Sequence, residues 1–390
     1  MPLPVSYHWR NLLVRKLSTT LTFLVVSVVV FVLAVLLSFA AGIRATLTAG
    51  GRDDNILVLA RGATTETTSI IRMAEAGRVV QTPGLARDSD GTLLMSQEIC
   101  VQTSIPRLGP DQNLANVAVR GVDDVAFRVH SSVRMLEGRK FEQGALEAIV
   151  GTAAQLRYAN LALGDEIALG RLTNRQFHIV GVFEAGGGAL ENEVWAPRGI
   201  IADVYSRGFL SSVMLRVGEG RSVAEAMDYI NGPAVGLEAK TETEYYREVA
   251  SKTREIVVLA IGLISIMSMG AIFAVANTMY AAVDGRRREI AMLRTIGFAR
   301  RSILVSFTLE SLLICLPACV AGLAASAFLS GTRTDYLSDA TWTVLPFELI
   351  ITPYIVVVCL GTATAVGIAG AFAPALKATR MRVVDALRKV

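Results

Sequence analysis

The chain has 390 residues, 52% of them hydrophobic, a formal net charge of +4 and a positive mean hydropathy. Ordinary soluble domains sit near about 45–50% apolar, so the excess excludes little by its size. Its placement excludes more. Four windows, Leu17–Ala41, Ile256–Tyr280, Ile303–Leu329 and Leu349–Phe372, are almost free of charge. Each exceeds the roughly 20 residues that cross about 30 Å of hydrocarbon. The many arginines lie beside these windows and not on a soluble face, which excludes a nucleic-acid-binding module. Cys315, Cys319 and Cys359 fall inside windows and Cys100 stands alone between the first two, so no disulfide framework is expected. His8, His130 and His178 are too scattered to suggest a metal site.

In chain order, residues 1–16 interleave Tyr7, Trp9, Leu12 and Leu13 with Arg10, Arg15 and Lys16, as a short helix in the cytoplasmic interface would. Residues 17–42 form the first span and the start of a stalk. A signal peptide is the alternative, but the apolar run is longer than its usual ~7–15 residues. Residues 43–240 change to mixed polarity, long enough for one or two folded domains. Strands are expected at 55–60, 92–105, 148–151, 166–169, 175–184 and 212–217, with further apolar runs at 116–122, 129–136 and 194–197. Helices are expected at Thr67–Ala76 with Gly77 as the stop, Thr152–Ala159, Gly199–Tyr205 and Ser222–Ile230, with turns at Glu137-Gly138-Arg139 and Leu163-Gly164-Asp165. Gly186-Gly187-Gly188 lacks phosphate-loop spacing and reads as a loop. The segment offers no paired carboxylates, nucleophile–histidine pair or metal cluster, which argues against an enzyme.

Residues 241–280 read as a second stalk and span. Thr241 followed by Glu244 is a capping-box start, and helix formers run on without a breaker until Gly262. Gly262, Ser265, Ser268, Gly270 and Ala274 recur at helical spacing as a small-residue face for close helix contacts or a dimer seam. Residues 281–302 are a basic loop and 303–329 the third span, which carries Glu310 near its start and Pro317 inside. A short loop, 330–348, precedes the fourth span, 349–372, and a basic tail, 373–390. With the N-terminus cytoplasmic, 1–16, 281–302 and 373–390 hold most of the short-segment arginine and lysine, while 330–348 is acidic. That is the positive-inside distribution, with both termini cytoplasmic and residues 43–240 outside. The expected fold is an α-helical membrane protein with four transmembrane helices and a large mixed α/β extracytoplasmic domain inserted between helices 1 and 2.

Within the basic loop, Asp284–Gly297 places Ile290, Leu293 and Ile296 three apart, with Met292 alongside and Arg287, Arg288, Arg294 and Glu289 as polar flanks. Gly297 is a natural helix stop. A merely topogenic loop would not need an apolar stripe. A short amphipathic helix under the bilayer could take up force from a partner. Glu310 is expected to pair with Arg300, Arg301 or the Arg286–Arg288 cluster.

The run AVANTMYAAVDGRRREIAMLRTIGFARRSILVSFTLESLL, Ala274–Leu313, resembles the signature of the FtsX-like permease family, which includes the MacB-type and lipoprotein-exporter transmembrane subunits of ABC transporters. Asn277-Thr278-Met279 matches its asparagine–threonine–hydrophobic run, and Arg286–Glu289 with Arg294–Gly297 its acidic/basic helix. Glu310 matches its glutamate in the next span, and Phe372–Arg388 its closing motifs. WRNLLVRK before the first span, and Glu147–Leu169 with Phe177–Glu184, fit as well. Asp284-Gly285 departs from the family's glutamate–arginine, and no Walker A sequence G-x-x-x-x-G-K-[ST] occurs in these residues.

The resemblance implies a non-catalytic permease subunit of an ABC export complex in the bacterial inner membrane. ATP and Mg2+ would be used by two copies of a separate ATPase, and this chain would bind no cofactor itself. A second permease copy or paralogue would complete a dimer among membrane lipids, with a periplasmic adaptor and outer-membrane channel as candidate partners. Asp284, Arg286, Arg287, Arg288, Glu289, Leu293, Arg294 and Gly297 would couple to the ATPase, and Asn277, Glu310, Gly262 and Gly270 would serve packing and coupling. Motion would pass by mechanotransmission to the outer domain for efflux or extraction of a lipid, lipoprotein, peptide or amphiphilic small molecule. The alternative is an FtsX-like signalling permease that regulates an extracytoplasmic partner such as a cell-wall hydrolase.

Overall fold

In a computed structural model of the chain, residues 16–48, 51–109, 113–170, 175–251, 254–337 and 344–380 are described. From the N-terminus the elements are α1 (Lys16–Thr48), β1 (Asn55–Leu59), α2 (Met73–Val79), β2 (Met95–Pro106), β3 (Leu114–Val122), α3 (Ala126–Val129) and β4 (Arg134–Gly138). Next come β5 (Glu147–Gly151), α4 (Thr152–Gln155), β6 (Glu166–Ala168), β7 (Gln176–Glu184), β8 (Glu193–Pro197), α5 (Arg198–Val204), β9 (Ser212–Arg216) and α6 (Val223–Asn231). Then follow β10 (Glu238–Thr241), α7 (Glu242–Ser251), α8 (Arg254–Gly285), α9 (Arg287–Thr295) and α10 (Arg300–Ala327). The two-stranded β11 (Arg333–Leu337) and β12 (Val344–Glu348) and the helix α11 (Pro353–Arg380) complete the chain.

Helices α1, α8, α10 and α11 are each long and apolar enough to cross a membrane, and together they make this a multi-pass membrane protein. They form one compact unit with α9, and residues Gly42–Thr253 with Arg333–Phe347 form a second. The helical unit packs Val26, Val30 and Ala34 of α1, Ala271 and Val275 of α8, Cys315, Ala318 and Cys319 of α10, and Cys359, Ala363 and Ala371 of α11. In an apolar solvent the burial of such residues gives little drive, so close packing and interhelical hydrogen bonds set the arrangement. Thr22 and Thr278 share a hydrogen bond of 2.6 Å between α1 and α8. Ser27 donates to the Ala318 carbonyl of α10 at 3.0 Å, and Ser311 to the Gly367 carbonyl of α11 at 2.8 Å.

One close approach falls on Gly322, which the sequence pattern singles out with Ala321, Ala324 and Ala325 in the third span, and another on Gly370, which it does not. A Cβ on Gly322 would lie 2.6 Å from the Ser27 carbonyl oxygen of α1, and one on Gly370 2.6 Å from Val275 Cβ of α8. Around Gly262 and Gly270 nothing lies within 4 Å, and both are exposed. The opposite face of α8, carrying Ala271 and Val275, is the one turned inward. Gly370→Ala is therefore expected to destabilise the helical unit by about 1–3 kcal/mol through overpacking. Gly270→Ala should be neutral or slightly stabilising, because alanine is the better helix former. SDS-titrated unfolding of the two variants in mixed micelles checks the contrast.

The second unit is built on a mixed ten-stranded sheet in the order β10-β1-β9-β2-β3-β8-β5-β7-β4, with β6 also paired to β7. The β3–β8 and β5–β7 pairs are parallel and the other pairs antiparallel. β2 and β3, joined in a long register from Ile99↔Gly121 to Pro106↔Leu114, occupy the middle of the sheet. One core gathers Ile56, Val58, Val119, Tyr158, Phe177 and Leu215, and a second packs Phe127, Phe141 and Phe183 around Trp195.

Several local expectations change. The helix expected at Thr67–Ala76 is a 3-10 turn, Glu66–Thr68, followed by α2, which runs through Gly77. The Thr68 hydroxyl bonds the Thr65 hydroxyl and carbonyl, which favours a tight turn over a helix here. Glu137 and Gly138 continue β4 across a bulge against β7, and Gly138 has φ +71° where a Cβ would strike the Val180 carbonyl. β10, too short and charged to stand out, was not expected. The Thr241 hydroxyl does accept the Glu244 N–H, at 3.1 Å. The expected helical continuity from Thr241 into the second span, the interfacial helix in residues 1–15 and the tail 381–390 all lie wholly or partly outside the described residues. α11 runs through Pro374 to Arg380, so the first part of the segment expected as tail is helical.

Candidate functional site

The last turn of α8, the whole of α9, the start of α10 and the end of α11 converge on one small assembly. Helix α8 ends at Gly285, and Arg286 breaks from helical geometry with φ −117° as the cap of α9. Its guanidinium meets the Glu310 carboxylate of α10 through two parallel hydrogen bonds, each 2.9 Å. Glu310 is only 2% exposed. This fork-to-fork geometry is the strong, orientation-specific form of an ion pair, and it selects Arg286 from the arginines considered.

Asp284 accepts from Arg287 at 2.7 Å and lies 3.8 Å from the Lys377 ammonium of α11, which also sits over the Tyr280 ring. Arg294 donates to the Thr379 carbonyl at 3.0 Å, near the C-terminal end of α11 where carbonyls lack helical partners. Beneath these polar ties Ile290 packs with Ala282, Val283, Ile303, Phe307, Ala375 and Ala378. At the far end Gly297, with φ +101°, donates to the Arg294 carbonyl, and Phe298 to that of Leu293. The two bonds close α9 in a Schellman turn. Helix α9 is thus anchored to α8, α10 and α11 at once.

Its outer surface is composed differently from the stripe expected. Ile290 and Ala291 are buried and Leu293 half-buried, but Met292 is 57% and Ile296 71% exposed, beside exposed Arg288 and Glu289. The apolar residues therefore divide between an inward anchor and an outward patch. Of the packing residues, Glu310 joins this assembly. Asn277 is exposed on α8, and its neighbour Thr278 is the one bonded to α1. Lys377 and Thr379 were not picked out; only their position after the fourth span could have signalled them.

A second constellation lies in the α/β unit and had no sequence signal. Arg120 on β3 is buried, and all five of its N–H donors are used. Nη1 and Nη2 reach the Glu66 carboxylate at 2.7 and 3.0 Å. Nε and Nη2 reach that of Glu193 at 2.7 and 2.8 Å, and Nη1 also bonds Glu98 at 2.5 Å. His130 Nε2 lies 2.7 Å from the other Glu98 oxygen. Trp195 Nε1 donates to Glu193 at 2.8 Å, and the Ser212 hydroxyl to Glu66 at 2.7 Å. Burial pushes Glu98 up, but the His130 and Arg120 charges outweigh it and hold Glu98 well below the usual carboxylate range. Each carboxylate is turned onto a donor, so the cluster binds segments together and presents no free nucleophile. Among the described residues no group of three or more His, Cys, Asp or Glu is arranged to hold a metal ion.

Two family models match the chain: the MacB-like periplasmic core domain over residues 19–232 and the FtsX-like permease C-terminal over residues 261–383. A macrolide export ATP-binding/permease protein MacB 1/2 of Paracoccus denitrificans is 26% identical over 295 residues, 70% of this chain and 42% of that protein. The macrolide export ATP-binding/permease protein MacB of Shigella sonnei is 24% identical over 411 residues, 99% of this chain and 60% of that protein. The chain thus spans 42 to 60% of the length of these curated relatives. Among solved structures, the periplasmic region of MacB from Actinobacillus actinomycetemcomitans aligns with a TM-score of 0.37 at 10% identity, covering 51% of this chain and 94% of that one.

Proposed function

The chain belongs to the FtsX-like, MacB-type permease family, and we propose that it serves as the permease subunit of an ABC-type export system. Two copies of a separate ATPase engage the outward patch of α9, Arg288, Glu289, Met292 and Ile296, on the cytoplasmic side of the inner membrane. A second permease copy or paralogue completes the assembly. Nucleotide-driven movement of α9 passes to the membrane helices and is expressed in the α/β unit outside, where a lipid, lipoprotein, peptide or amphiphilic small molecule is handled. The observation that carries this reading is the anchoring of one short helix and its cap to three membrane helices, by Arg287–Asp284 to α8, Arg286–Glu310 to α10 and Arg294–Thr379 to α11. A helix held in this way moves with its neighbours, whereas a loosely attached loop would absorb the push.

The test is affinity capture of the tagged full chain from its own host membranes, with identification of the nucleotide-hydrolysing protein retained. Replacing Arg287, Arg288 and Glu289 together with alanine is expected to reduce ATPase retention about tenfold, equivalent to about 1.4 kcal/mol of binding, with the fold intact. Undiminished retention and transport in the triple variant, or capture of no ATPase by the natural chain, would defeat the proposal.

A further inference from the structure

The buried cluster around Arg120 has an imbalance that its hydrogen bonds do not remove. Glu66, Glu98 and Glu193 bring three carboxylates to one guanidinium, an excess of two negative charges when His130 is neutral and of one when it is protonated. Among the cluster's described side-chain atoms, Nδ1 of His130 is buried without a hydrogen-bond partner. It is the atom at which a proton can be gained or lost while every other contact stays in place.

We propose that His130 and Glu98 form a proton-operated clasp in the α/β unit, closed while His130 is protonated and loosened when it is not. This goes beyond the transport reading and does not depend on it. The clasp joins the 3-10 turn at Glu66, β2 through Glu98, β3 through Arg120, the end of α3 through His130 and β8 through Glu193. It reaches α7 as well, where the Tyr245 hydroxyl accepts the Glu66 N–H at 3.4 Å. That is the last element of the α/β unit before α8 in the sequence, so loosening would act on the segment leading towards the membrane helix.

The groups facing His130 decide the direction. Glu98 on β2, Glu242 at the start of α7, and Glu66 and Glu193 across the guanidinium are acidic. Arg120 on β3 opposes them, as does Arg216 on β9, which donates to the Val129 carbonyl. Arg52 and Asp54 ahead of β1 are paired with each other. Trp195 closes the remaining side edge-on, its ring centre 5.5 Å from that of the imidazole. Burial opposes the imidazolium, but Glu98, with help from Glu242, outweighs it and carries His130 above its ordinary value of 6.5. A folded-state value above the unfolded one means that stability from the pair is full below about pH 6.5. It is lost as pH rises through the higher folded-state value.

The experiment is thermal unfolding of the full chain in detergent from roughly pH 5.5 to 8.5, a range chosen to span histidine titration. The wild type should be most stable at the acid end and lose stability above pH 6.5. The slope should have the sign of a proton held by the folded state and stay below the limit of one proton, a tenfold change in the unfolding equilibrium per pH unit. His130→Gln keeps a donor for Glu98 but cannot titrate, and should flatten the dependence. His178→Gln, at the exposed histidine beside Glu166, should retain it. A flat or rising wild-type profile, or an unchanged slope in His130→Gln, overturns the proposal. Should that variant fail to fold, the wild-type chain labelled with 13C-histidine decides: a His130 resonance titrating above 6.5 supports the clasp, and one still neutral at the acid end refutes it.

Discussion

Replacing Arg120 with alanine should unfold the α/β unit at ordinary temperature while leaving the helical unit in place. Removal of one partner from a buried ion pair costs about 3–5 kcal/mol, because the charge left behind has neither water nor a counter-ion. Here three carboxylates would be left facing one another, so the loss should reach at least the top of that range. A domain's whole stability is only about 5–15 kcal/mol. Arg120→Lys should recover little, since an ammonium offers three donors where five are used and cannot lie flat between the Glu66 and Glu193 carboxylates. The better rescue removes the opposing charges too: Arg120→Met with Glu66, Glu98 and Glu193 changed to glutamine trades a costly charged centre for a neutral one. Limited proteolysis of the full chain, with fragments mapped to residues 51–251, reads the outcome. Resistance equal to the wild type in Arg120→Ala would show that the cluster does not hold the unit together.

The contrast between that cluster and α9 shows what this sequence makes legible. The four spans could be read because a run of apolar residues long enough for a bilayer is a local property. The stop at Gly297 is local too, since a left-handed residue after an amphipathic turn favours glycine. The strand at 176–184 announced itself by alternation. Glu66, Glu98, Arg120, His130 and Glu193 have no such signature. They lie in five segments that only the completed sheet brings together, and each alone resembles a surface charge. The glycines of α8 are ambiguous for another reason. A helix apolar all round does not encode which face meets its neighbours in the same chain, so the sequence pattern could not separate Gly262 and Gly270, which are exposed on α8, from Gly322, which packs against α1. Around α9 the family resemblance located Glu310, but the choice of Arg286 over Arg300 or Arg301 depended on the reversal of the chain at Gly285.

Glu310→Ala should be the most damaging single change in the helical unit. It leaves the Arg286 guanidinium, only 11% exposed in its side chain, beside the Ile290–Phe307 cluster with its bidentate partner gone. The expected cost is about 3–5 kcal/mol, and a charge placed near hydrocarbon finds less relief than one at a soluble surface. Glu310→Gln keeps an acceptor and the side-chain shape, so it should lose less. Stability alone would not separate a staple from a transmitting contact, because either would weaken the fold. The exchange Arg286→Glu with Glu310→Arg separates them. It restores the pair, so its stability should exceed the sum of the single losses by a coupling of about 1–3 kcal/mol. It also moves the charge that sits at the start of α9 onto α10. If the pair only staples, ATPase stimulation per folded molecule should return with stability. If the pair orients α9 for its partner, stability should return and stimulation should stay at least tenfold low. A transmitting role predicts the second result, because a reversed pair can hold the helix down without holding it at the same angle.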